Sequence, residues 1–358
     1  MKKIKIFFVL PTLHAGGAER VMSFLSENID ETQFYSSLII VGHKKNSKYD
    51  VNKIPVHFLN KDRVASSIPT LIKILNKNRP DIVISSISHI NTVMALISFL
   101  FPKTKFIGRE ANVLSVVKNY TNQTNRLGTL ISPSKSYKFL DLIVCQSNDM
   151  FNDMNRNFKI PKSKLRVINN PITDTFKLKN SKNKSNNVLR FITVAALKKQ
   201  KGHKRILTVL SKLNIPFQYT IIGSGSEETE LYRLIDKFGL KNKVLHVPFT
   251  NEVPKYLAES DFFLQGSFVE GFPNALIESC AVGTPVLAFA APGGLDEIIE
   301  PELNGLIATD EEEYLKNIIR SQNINWNSKD IRESVYKKFN SKKILKEYEN
   351  LFLEMMKK

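Results

Sequence analysis

Short apolar runs alternate with amphipathic segments along the whole chain. The apolar runs are rich in Val, Ile and Phe and have the length of strands that are buried on both faces. Between them lie segments with helical spacing of apolar residues, such as residues 19–29 and 69–77. Predicted strands cover residues 4–10, 35–41, 82–86, 105–109, 142–146 and 165–168, and then 189–194, 218–222, 244–247, 262–264, 286–289 and 305–307. This alternation predicts an α/β protein with two parallel sheets.

A polar stretch separates the two series of strands. Residues 173–187 contain the run Lys-Asn-Ser-Lys-Asn-Lys-Ser-Asn-Asn and lack apolar periodicity, which predicts an inter-domain linker. We therefore expect one domain over residues 1–172 and another over residues 188–340. Residues 341–358 place Ile344, Tyr348, Leu351 and Met355 at helical spacing, which predicts a final amphipathic helix that packs for stability.

The apolar runs do not predict a membrane span. The stretch that starts at Met1 is short and ends at Pro11, so we expect a buried strand there rather than a signal peptide. The run from Thr92 to Phe101 is about half the length of a membrane-crossing helix. Two cysteines, Cys145 and Cys280, give neither a disulfide framework nor metal-ligand spacing, which fits a reducing cytoplasm.

Positive charge is concentrated in the first half of the chain. The protein has 358 residues and a net charge of +18. Residues 1–172 hold 25 Lys and Arg against 11 Asp and Glu, whereas residues 173–358 hold 27 against 23. A basic half suits an anionic membrane or an anionic acceptor. Nucleic acid is not expected as a partner, because the chain has no zinc-finger spacing and no basic run interleaved with aromatic residues.

Several strands end in glycine turns that precede helices. Gly16 and Gly17 follow the first predicted strand, and Gly223 follows residues 218–222. Glycine lets the backbone approach a ligand closely, and free N–H groups at a helix start attract anions. The first turn is not a GxGxxG dinucleotide fingerprint, and a Gly-Gly turn alone is weak evidence for a site. Lys201 lies in a similar loop after residues 189–194, where a lysine can neutralise a diphosphate.

Two acids flank a predicted helix start in the second half. The run is Glu270-Gly271-Phe272-Pro273-Asn274-Ala275-Leu276-Ile277-Glu278, in which the glycine and proline mark a loop and the apolar residues open a helix. Carboxylates repel phosphate but suit neutral hydroxyl groups, while the N–H groups between them suit an anion. Hydroxyls on either side of a charged bridge describe a nucleotide sugar. The alternative for the acids alone is a surface helix with an acid near its N-terminus.

Taken together, these motifs resemble retaining glycosyltransferases of family 4, which have the GT-B fold. The resemblance covers nearly the whole chain and is most specific over residues 261–307, where two glutamates are separated by seven residues. It implies two Rossmann-like domains that face each other across a cleft, with the final helix packing back on the first domain. The first domain would bind the acceptor and the second would bind the nucleotide sugar. No metal or other cofactor is expected, in keeping with the absence of an Asp-x-Asp motif.

The resemblance also implies roles for individual residues. Glu270 would contact the donor sugar and Glu278 the ribose hydroxyls, while Lys201 would pair with the diphosphate. Gly16 and Gly17 would close over the diphosphate from the other domain. The remaining predicted donor contacts are Gly223 and the backbone amides of Gly271, Phe272, Pro273, Asn274, Ala275 and Leu276, although a proline supplies no N–H.

The chain departs from the family pattern in two places. Relatives usually carry a Gly-Arg pair where this chain has Ala195-Ala196, and that arginine shares the diphosphate with the lysine. Losing it would cost about 1–3 kcal/mol if a charged hydrogen bond is simply lost. Many relatives also place a histidine after the strand that corresponds to residues 105–109. Here Arg109 and Glu110 stand there instead, so both, together with His89, are candidate acceptor contacts.

We therefore expect the transfer of a sugar from a nucleotide diphosphate to a hydroxyl group, with retained anomeric configuration. The expected nucleotide is UDP and the expected sugar is an N-acetylhexosamine. The expected acceptor is a surface glycan on a polyprenyl-diphosphate lipid at the inner face of the cell membrane. Residues 113–142, with Lys118, Arg126, Lys135 and Lys138, are either a docking surface for that membrane or an ordinary helix pair. Two alternatives remain open: a sugar-nucleotide epimerase, and a non-catalytic subunit that binds glycan or nucleotide, which the alanine at 196 favours.

Overall fold

A computed structural model describes residues 2–120, 133–180 and 188–357, which divide into two units. The first unit comprises the described residues up to 118, residues 133–171 and residues 342–357. The second comprises residues 119–120 and the described residues from 172 to 341. Each unit is a parallel sheet covered by helices, as the alternation of apolar runs predicts.

The first unit is built on a sheet of seven parallel strands. Its strands are β1 (Ile4–Leu10), β2 (Phe34–Ile40), β3 (Val56–Phe58), β4 (Ile82–Ser86), β5 (Lys105–Arg109), β6 (Leu142–Cys145) and β7 (Leu165–Val167), and its helices up to β7 are α1 (Gly17–Asn28), α2 (Ile68–Asn78), α3 (Ser88–Ile97), α4 (Leu114–Val117), α5 (Pro133–Ser136) and α6 (Asn148–Arg156). The strand order is β3-β2-β1-β4-β5-β6-β7. Strand β1 lies near the middle, with Ile6 paired to Ser36 on one side and to Ile82 on the other.

The second unit has a sheet of six parallel strands. Its strands are β8 (Leu189–Val194), β9 (Phe217–Ile222), β10 (Val244–Val247), β11 (Phe262–Gln265), β12 (Val286–Phe289) and β13 (Gly305–Ala308), and its helices are α7 (His203–Ser211), α8 (Glu228–Lys237), α9 (Val253–Glu259), α10 (Asn274–Ala281), α11 (Leu295–Ile298), α12 (Glu311–Ser321) and α13 (Ser328–Phe339). The order β10-β9-β8-β11-β12-β13 reverses direction between β8 and β11. Ligands of open α/β sheets bind at such a switch point, outside the carboxyl ends of the strands.

The C-terminal helix α14 (Ser341–Lys357) packs on the first unit, which confirms the expectation from the resemblance. Phe352 lies edge-on to Phe8 of β1 and Phe34 of β2, with ring centroids 6.3 and 6.0 Å apart. Tyr348 is buried in the same apolar cluster and bonds to a side chain of β5. The helix is therefore an integral part of the first core rather than a tail.

Twelve strands were predicted from the apolar pattern, and all twelve are present with ends that differ by one residue at most. Strand β3 was not predicted. It is three residues long, lies at the edge of the sheet and is half-exposed at Val56 and Phe58, so it carries no continuous apolar run.

Candidate functional site

Two loops at the carboxyl ends of β8 and β11 pack closely against each other. The loop after β8 makes a 3-10 turn, Lys199–Lys201, and enters α7 through Gly202, whose φ is 61°. A Cβ at Gly202 would collide with the carbonyl oxygen of Gly266 in the loop after β11. Glycine is required at position 202, because other residues rarely adopt this positive φ and because no side chain fits beside Gly266. The close approach brings the two loops together at the switch point of the sheet.

Lys201 and Glu270 form an ion pair between these loops. The Nζ atom of Lys201 lies 2.7 Å from each carboxylate oxygen of Glu270, and the two side chains are only 20% and 10% exposed. The hydroxyl of Ser267 donates a further hydrogen bond of 2.5 Å to Glu270 Oε1. The structure thus brings together the two residues that the sequence assigns to the donor sugar and to the diphosphate.

The backbone around Glu270 is fixed from the other side as well. Its N–H donates to the carbonyl oxygen of Pro292 at 2.9 Å. Gly293, with φ of 126°, passes so close that a Cβ there would strike the carbonyl of Glu270. Glycine is needed at 293 for this contact. Glu270 therefore has a defined position before any ligand binds.

Helix α10 follows directly and carries the second glutamate. Asn274 and Ala275 at its start are partly exposed, and the first turn of a helix carries partial positive charge. Glu278 is 3% exposed. Phe272 is buried against Phe339, with ring centroids 5.1 Å apart, so its side chain belongs to the core. Only its backbone could contact the nucleotide sugar. Gly271, Pro273 and Leu276 are buried too. Their predicted donor contacts remain predictions.

Gly223 also allows a close approach between backbone segments. Its φ is 149°, and a Cβ would collide with the carbonyl oxygen of Ala195 at the end of β8. Its own carbonyl bonds the ring of His246 at 2.8 Å. These contacts explain the glycine by packing, and its predicted role in donor binding remains a prediction.

In the first unit, Gly16 and Gly17 begin helix α1 at the carboxyl end of β1. The carbonyl of Gly16 accepts a hydrogen bond from Tyr49 Oη at 3.2 Å. A Cβ at Gly16 would meet the carboxylate of Glu19, which also accepts from Thr12 Oγ1 at 3.1 Å. The turn is thus held on both sides. Its predicted contact with a diphosphate stays a prediction.

Arg109 is fully buried, which favours a structural role over the predicted acceptor contact. Its Nε donates to Tyr348 Oη at 3.1 Å, its Nη1 to Ser86 Oγ at 3.2 Å and its Nη2 to Asn170 Oδ1. All three guanidinium nitrogens have protein partners. The side chain joins β5, β4 and α14, and its predicted acceptor contact stays a prediction.

Glu110 is buried beside it, within hydrogen-bond distance of Tyr137. Tyr137 Oη donates to Glu110 Oε2 at 2.6 Å, and the N–H of Ala111 donates to Oε1 at 2.8 Å. Burial raises the pKa of Glu110 to about 7, although the Tyr137 hydroxyl and the backbone N–H groups oppose that shift. A carboxyl group in this setting is poorly placed to contact an acceptor directly.

His89 remains the most accessible of the three predicted acceptor residues. It is the second residue of α3 and is exposed at the carboxyl end of β4. Ile87, just before the helix, has φ of 84°, which is rare for a β-branched side chain. Strain of this kind costs about 1–3 kcal/mol and is concentrated at functional sites. The strain favours this edge of the sheet as the place of a site.

The role of Arg205 is not evident from the sequence pattern and is shown by its contacts. Its Nε donates to the carbonyl of Gly266 at 2.5 Å and its Nη2 donates to the carbonyl of Ser267. The guanidinium lies over the rings of Phe268 and Phe289, 4.2 and 4.0 Å from their centroids. Arg205 therefore holds the loop that presents Ser267 to Glu270. Only the tertiary contact identifies it, because an arginine one turn into an amphipathic helix is unremarkable by sequence.

The structure also bears on a metal centre and a membrane-spanning helix. The residues outside 121–132 and 181–187 contain no group of three or more His, Cys, Asp or Glu side chains that could hold a metal ion. No helix among these described residues is long and apolar enough to cross a membrane. Of the predicted docking segment, residues 121–132, including Arg126, lie outside the described residues.

Comparison with solved structures identifies the fold. The chain superposes on the sucrose-phosphate synthase of Thermosynechococcus elongatus with a TM-score of 0.82 and 16% identity, covering 99% of each chain. It superposes on Alr3699/HepE of Anabaena, solved with UDP-glucose, with a TM-score of 0.80 and 17% identity, covering 99% of this chain and 99% of that one. At this level of identity the likeness concerns the fold. The fold is that of the GT-B glycosyltransferases.

Sequence comparison places the chain in a family within that class. Residues 15–176 match the family described as Glycosyltransferase Family 4, and residues 174–338 match Glycosyl transferases group 1. The protein belongs to the family-4 glycosyltransferases. One relative is the N-acetylgalactosamine-N,N'-diacetylbacillosaminyl-diphospho-undecaprenol 4-alpha-N-acetylgalactosaminyltransferase of Campylobacter jejuni, 28% identical over 323 residues that cover 86% of each chain.

Proposed function

We propose that this glycosyltransferase moves a sugar from a UDP-sugar to a hydroxyl of a lipid-linked glycan, with retained anomeric configuration, in the synthesis of a bacterial surface polysaccharide. The proposed sugar is an N-acetylhexosamine, and the proposed place is the inner face of the cell membrane. No metal or other cofactor takes part in the proposed reaction.

The observation that carries the proposal is the Lys201–Glu270 pair at the switch point of the second sheet. A diphosphate leaving group develops negative charge as the glycosidic bond stretches, and a lysine with few water contacts stabilises such charge well. Lys201 is mostly buried and supplies that charge. Helix α10 begins at Asn274, four residues after Glu270, and its N-terminus adds partial positive charge.

Glu270 is better suited to orient the sugar than to attack it. Both of its oxygens accept from Lys201, and Oε1 also accepts from Ser267, so its negative charge is spread over hydrogen bonds. A carboxylate that is bound in this way is a weak nucleophile. This supports a front-face reaction, in which the acceptor hydroxyl attacks from the side that the leaving diphosphate vacates. The leaving diphosphate would then take the proton of that hydroxyl.

The relatives and the charge distribution support the proposed acceptor. The Campylobacter jejuni relative is named for transfer to a sugar chain on diphospho-undecaprenol. Another relative, 36% identical over 131 residues that cover 34% of this chain and 32% of that one, is the amylovoran biosynthesis glycosyltransferase AmsK of Erwinia amylovora. The basic first half suits an acceptor that carries a diphosphate and lies among anionic lipids.

Ala196 motivates the second candidate, a subunit that binds the donor without transferring its sugar. The carbonyl of Ala196 bonds the ring of His203 at 3.1 Å, and no cation replaces the family's arginine at this position. Burial lowers the pKa of His203 to about 4, so this histidine is neutral at pH 7 and adds no positive charge. Lys201 would then carry most of the leaving-group charge.

Product analysis separates these functions. The purified protein is incubated with each UDP-, GDP- and ADP-sugar, with and without a bacterial lipid extract, and both the lipid and nucleotide fractions are analysed. The proposal predicts labelled lipid and free UDP only when a UDP-sugar and the extract are both present. An altered nucleotide sugar formed without extract would show an epimerase instead, and donor binding by calorimetry without any product would show a binding subunit.

A further inference from the structure

An exposed apolar patch lies at the edge of the first unit where strands β5 and β6 begin. Phe99, Leu100 and Phe139 are 63%, 60% and 45% exposed. The rings of Phe99 and Phe139 meet with their centroids 4.6 Å apart. We call these three residues the Phe99 patch. Single exposed apolar side chains are common, but a contiguous cluster usually marks a binding surface.

The backbone holds the patch in a fixed shape. Phe99 and Leu100 lie in a 3-10 turn, Ser98–Leu100, at the end of α3, and Phe139 closes a second such turn, Tyr137–Phe139, before β6. The hydroxyl of Ser98 reaches the carbonyl of Phe139 at 3.5 Å. Lys164 Nζ donates to the carbonyls of Lys138 and Leu140 at 2.7 and 2.9 Å. The side chains are therefore presented by anchored turns and not by a loose loop.

Three exposed lysines lie near the patch, in the chain or next to a hydrogen-bonded turn. Lys138 precedes Phe139, Lys103 follows Leu100 by three residues, and Lys162 lies in the turn that Lys164 joins to residues 138–140; all three are exposed. The neighbouring acid, Asp141, accepts a hydrogen bond from the N–H of Phe106 at 2.8 Å and lies 3.5 Å from Lys105 Nζ. The surface is thus apolar at its centre and positive at its rim.

We propose that the Phe99 patch and its three exposed lysines dock the protein on the surface of an anionic lipid bilayer. Phe and Leu side chains enter the boundary between headgroups and acyl chains, while lysines attract anionic headgroups. The excess of positive charge in residues 1–172 acts in the same direction. A second copy of the chain fits less well, because a twofold interface would bring each lysine rim against an identical one.

This docking would bring the enzyme to the lipid-linked acceptor. Its biological purpose therefore rests on the proposed function. The patch lies at the amino ends of β5 and β6, whereas His89 lies at the carboxyl edge of the same sheet. Strand β5 has five residues, so the carboxyl edge would stand roughly 15 Å above the docked edge. A glycan that extends from its lipid carrier can span such a gap.

Vesicle binding tests the proposal without reference to activity. Flotation is measured with phosphatidylglycerol and phosphatidylcholine vesicles, with no sugar donor present. We expect the wild-type protein to bind the anionic phosphatidylglycerol vesicles at least tenfold more strongly than the neutral phosphatidylcholine vesicles. The Phe99→Glu/Phe139→Glu and Lys138→Glu/Lys162→Glu variants should each lose at least tenfold of that binding. Two matched controls, Ile319→Glu and Lys44→Glu/Lys45→Glu, change exposed residues elsewhere and should bind as the wild type does.

A conservative variant covers the case in which the double glutamate variant folds poorly. Phe99→Trp should show a blue-shifted fluorescence change with anionic vesicles and quenching by brominated lipids, measured against the background of Trp326. Transfer to a water-soluble acceptor analogue should be unchanged in all patch variants. Equal vesicle binding by the patch variants and the wild type would overturn the proposal, as would no shift in Phe99→Trp. A dimer in solution that the patch substitutions dissociate would assign the surface to a second copy instead.

Discussion

Lys201 Nζ is equidistant from the two carboxylate oxygens of Glu270, at 2.7 Å from each. The lysine that is proposed to receive the diphosphate is therefore already paired before a donor arrives. Binding of a diphosphate must draw Lys201 away from Glu270, or add a second anion to the same ammonium group. In either case Glu270 competes with the diphosphate for one positive charge, and this competition has measurable consequences.

Replacing Glu270 with Gln should strengthen the binding of UDP while slowing transfer. The change removes the competing negative charge but keeps the size of the side chain, so Lys201 becomes free for the diphosphate. We expect UDP to bind several-fold more tightly by calorimetry, and the turnover number to fall at least a hundredfold because the sugar loses its carboxylate contact. Weaker UDP binding in this variant would show that Glu270 does not compete for Lys201.

Replacing Ala196 with Arg should restore the cation that relatives carry at this position. A hydrogen bond to a charged group contributes about 1.5–3 kcal/mol, so UDP should bind about tenfold more tightly or better. Ala196→Gln has a long neutral side chain and serves as the matched control. Isothermal calorimetry of UDP binding measures both. If the two variants bind UDP equally, the charge at position 196 does not reach the diphosphate in this protein.

Replacing Arg205 with Lys tests whether this residue positions the loop that carries Ser267. A lysine keeps the positive charge but cannot hold the carbonyls of Gly266 and Ser267 with a planar fork. We expect the turnover number to fall about tenfold and the free energy of unfolding to fall by about 1–2 kcal/mol. Arg233→Lys, at an exposed pair with Glu230, is the matched control. A purely structural role would lower stability and leave the turnover number of the folded enzyme unchanged.

Glu110 should make the stability of the protein decrease as the pH rises. Its pKa is about 7 in the folded protein and about 4.5 in the unfolded chain, so between these values the folded state binds more protons. The contribution of Glu110 is complete below about pH 4.5 and is lost by about pH 7, on the order of 3 kcal/mol. Urea unfolding of wild type and Glu110→Gln across this range measures it. A constant difference between the two proteins at every pH would contradict the assignment.

The strands could be predicted because each buried strand leaves a continuous apolar signature. Strand β3 left none, since it is short and half-exposed. The family resemblance implied that Lys201 and the glutamate that follows β11 serve one donor site, but it did not predict that they pair with each other. Their direct contact depends on the close approach at Gly202, which is a property of two loops and not of either sequence.

The acceptor-side predictions stay predictions, but the surroundings of Arg109 differ from what its place in the sequence suggests. Arg109 stands at the end of a strand, which by sequence favours a ligand contact. Its actual partner Tyr348 lies 239 residues further along the chain, on a helix that returns to the first unit. Arg205 is the opposite case, a residue that the sequence did not single out. It binds two backbone carbonyl groups in a distant loop, and a pattern of side chains does not reveal such contacts. Contacts between distant segments decide both cases.

The proposed reaction depends on Lys201 to stabilise the negative charge of the departing diphosphate. The most direct test compares the transfer rates of Lys201→Ala and Lys204→Ala, since Lys204 is an exposed lysine three residues away. We expect at least a hundredfold lower turnover number for Lys201→Ala, with folding intact, and a wild-type rate for Lys204→Ala. Equal turnover numbers for the two variants would contradict it.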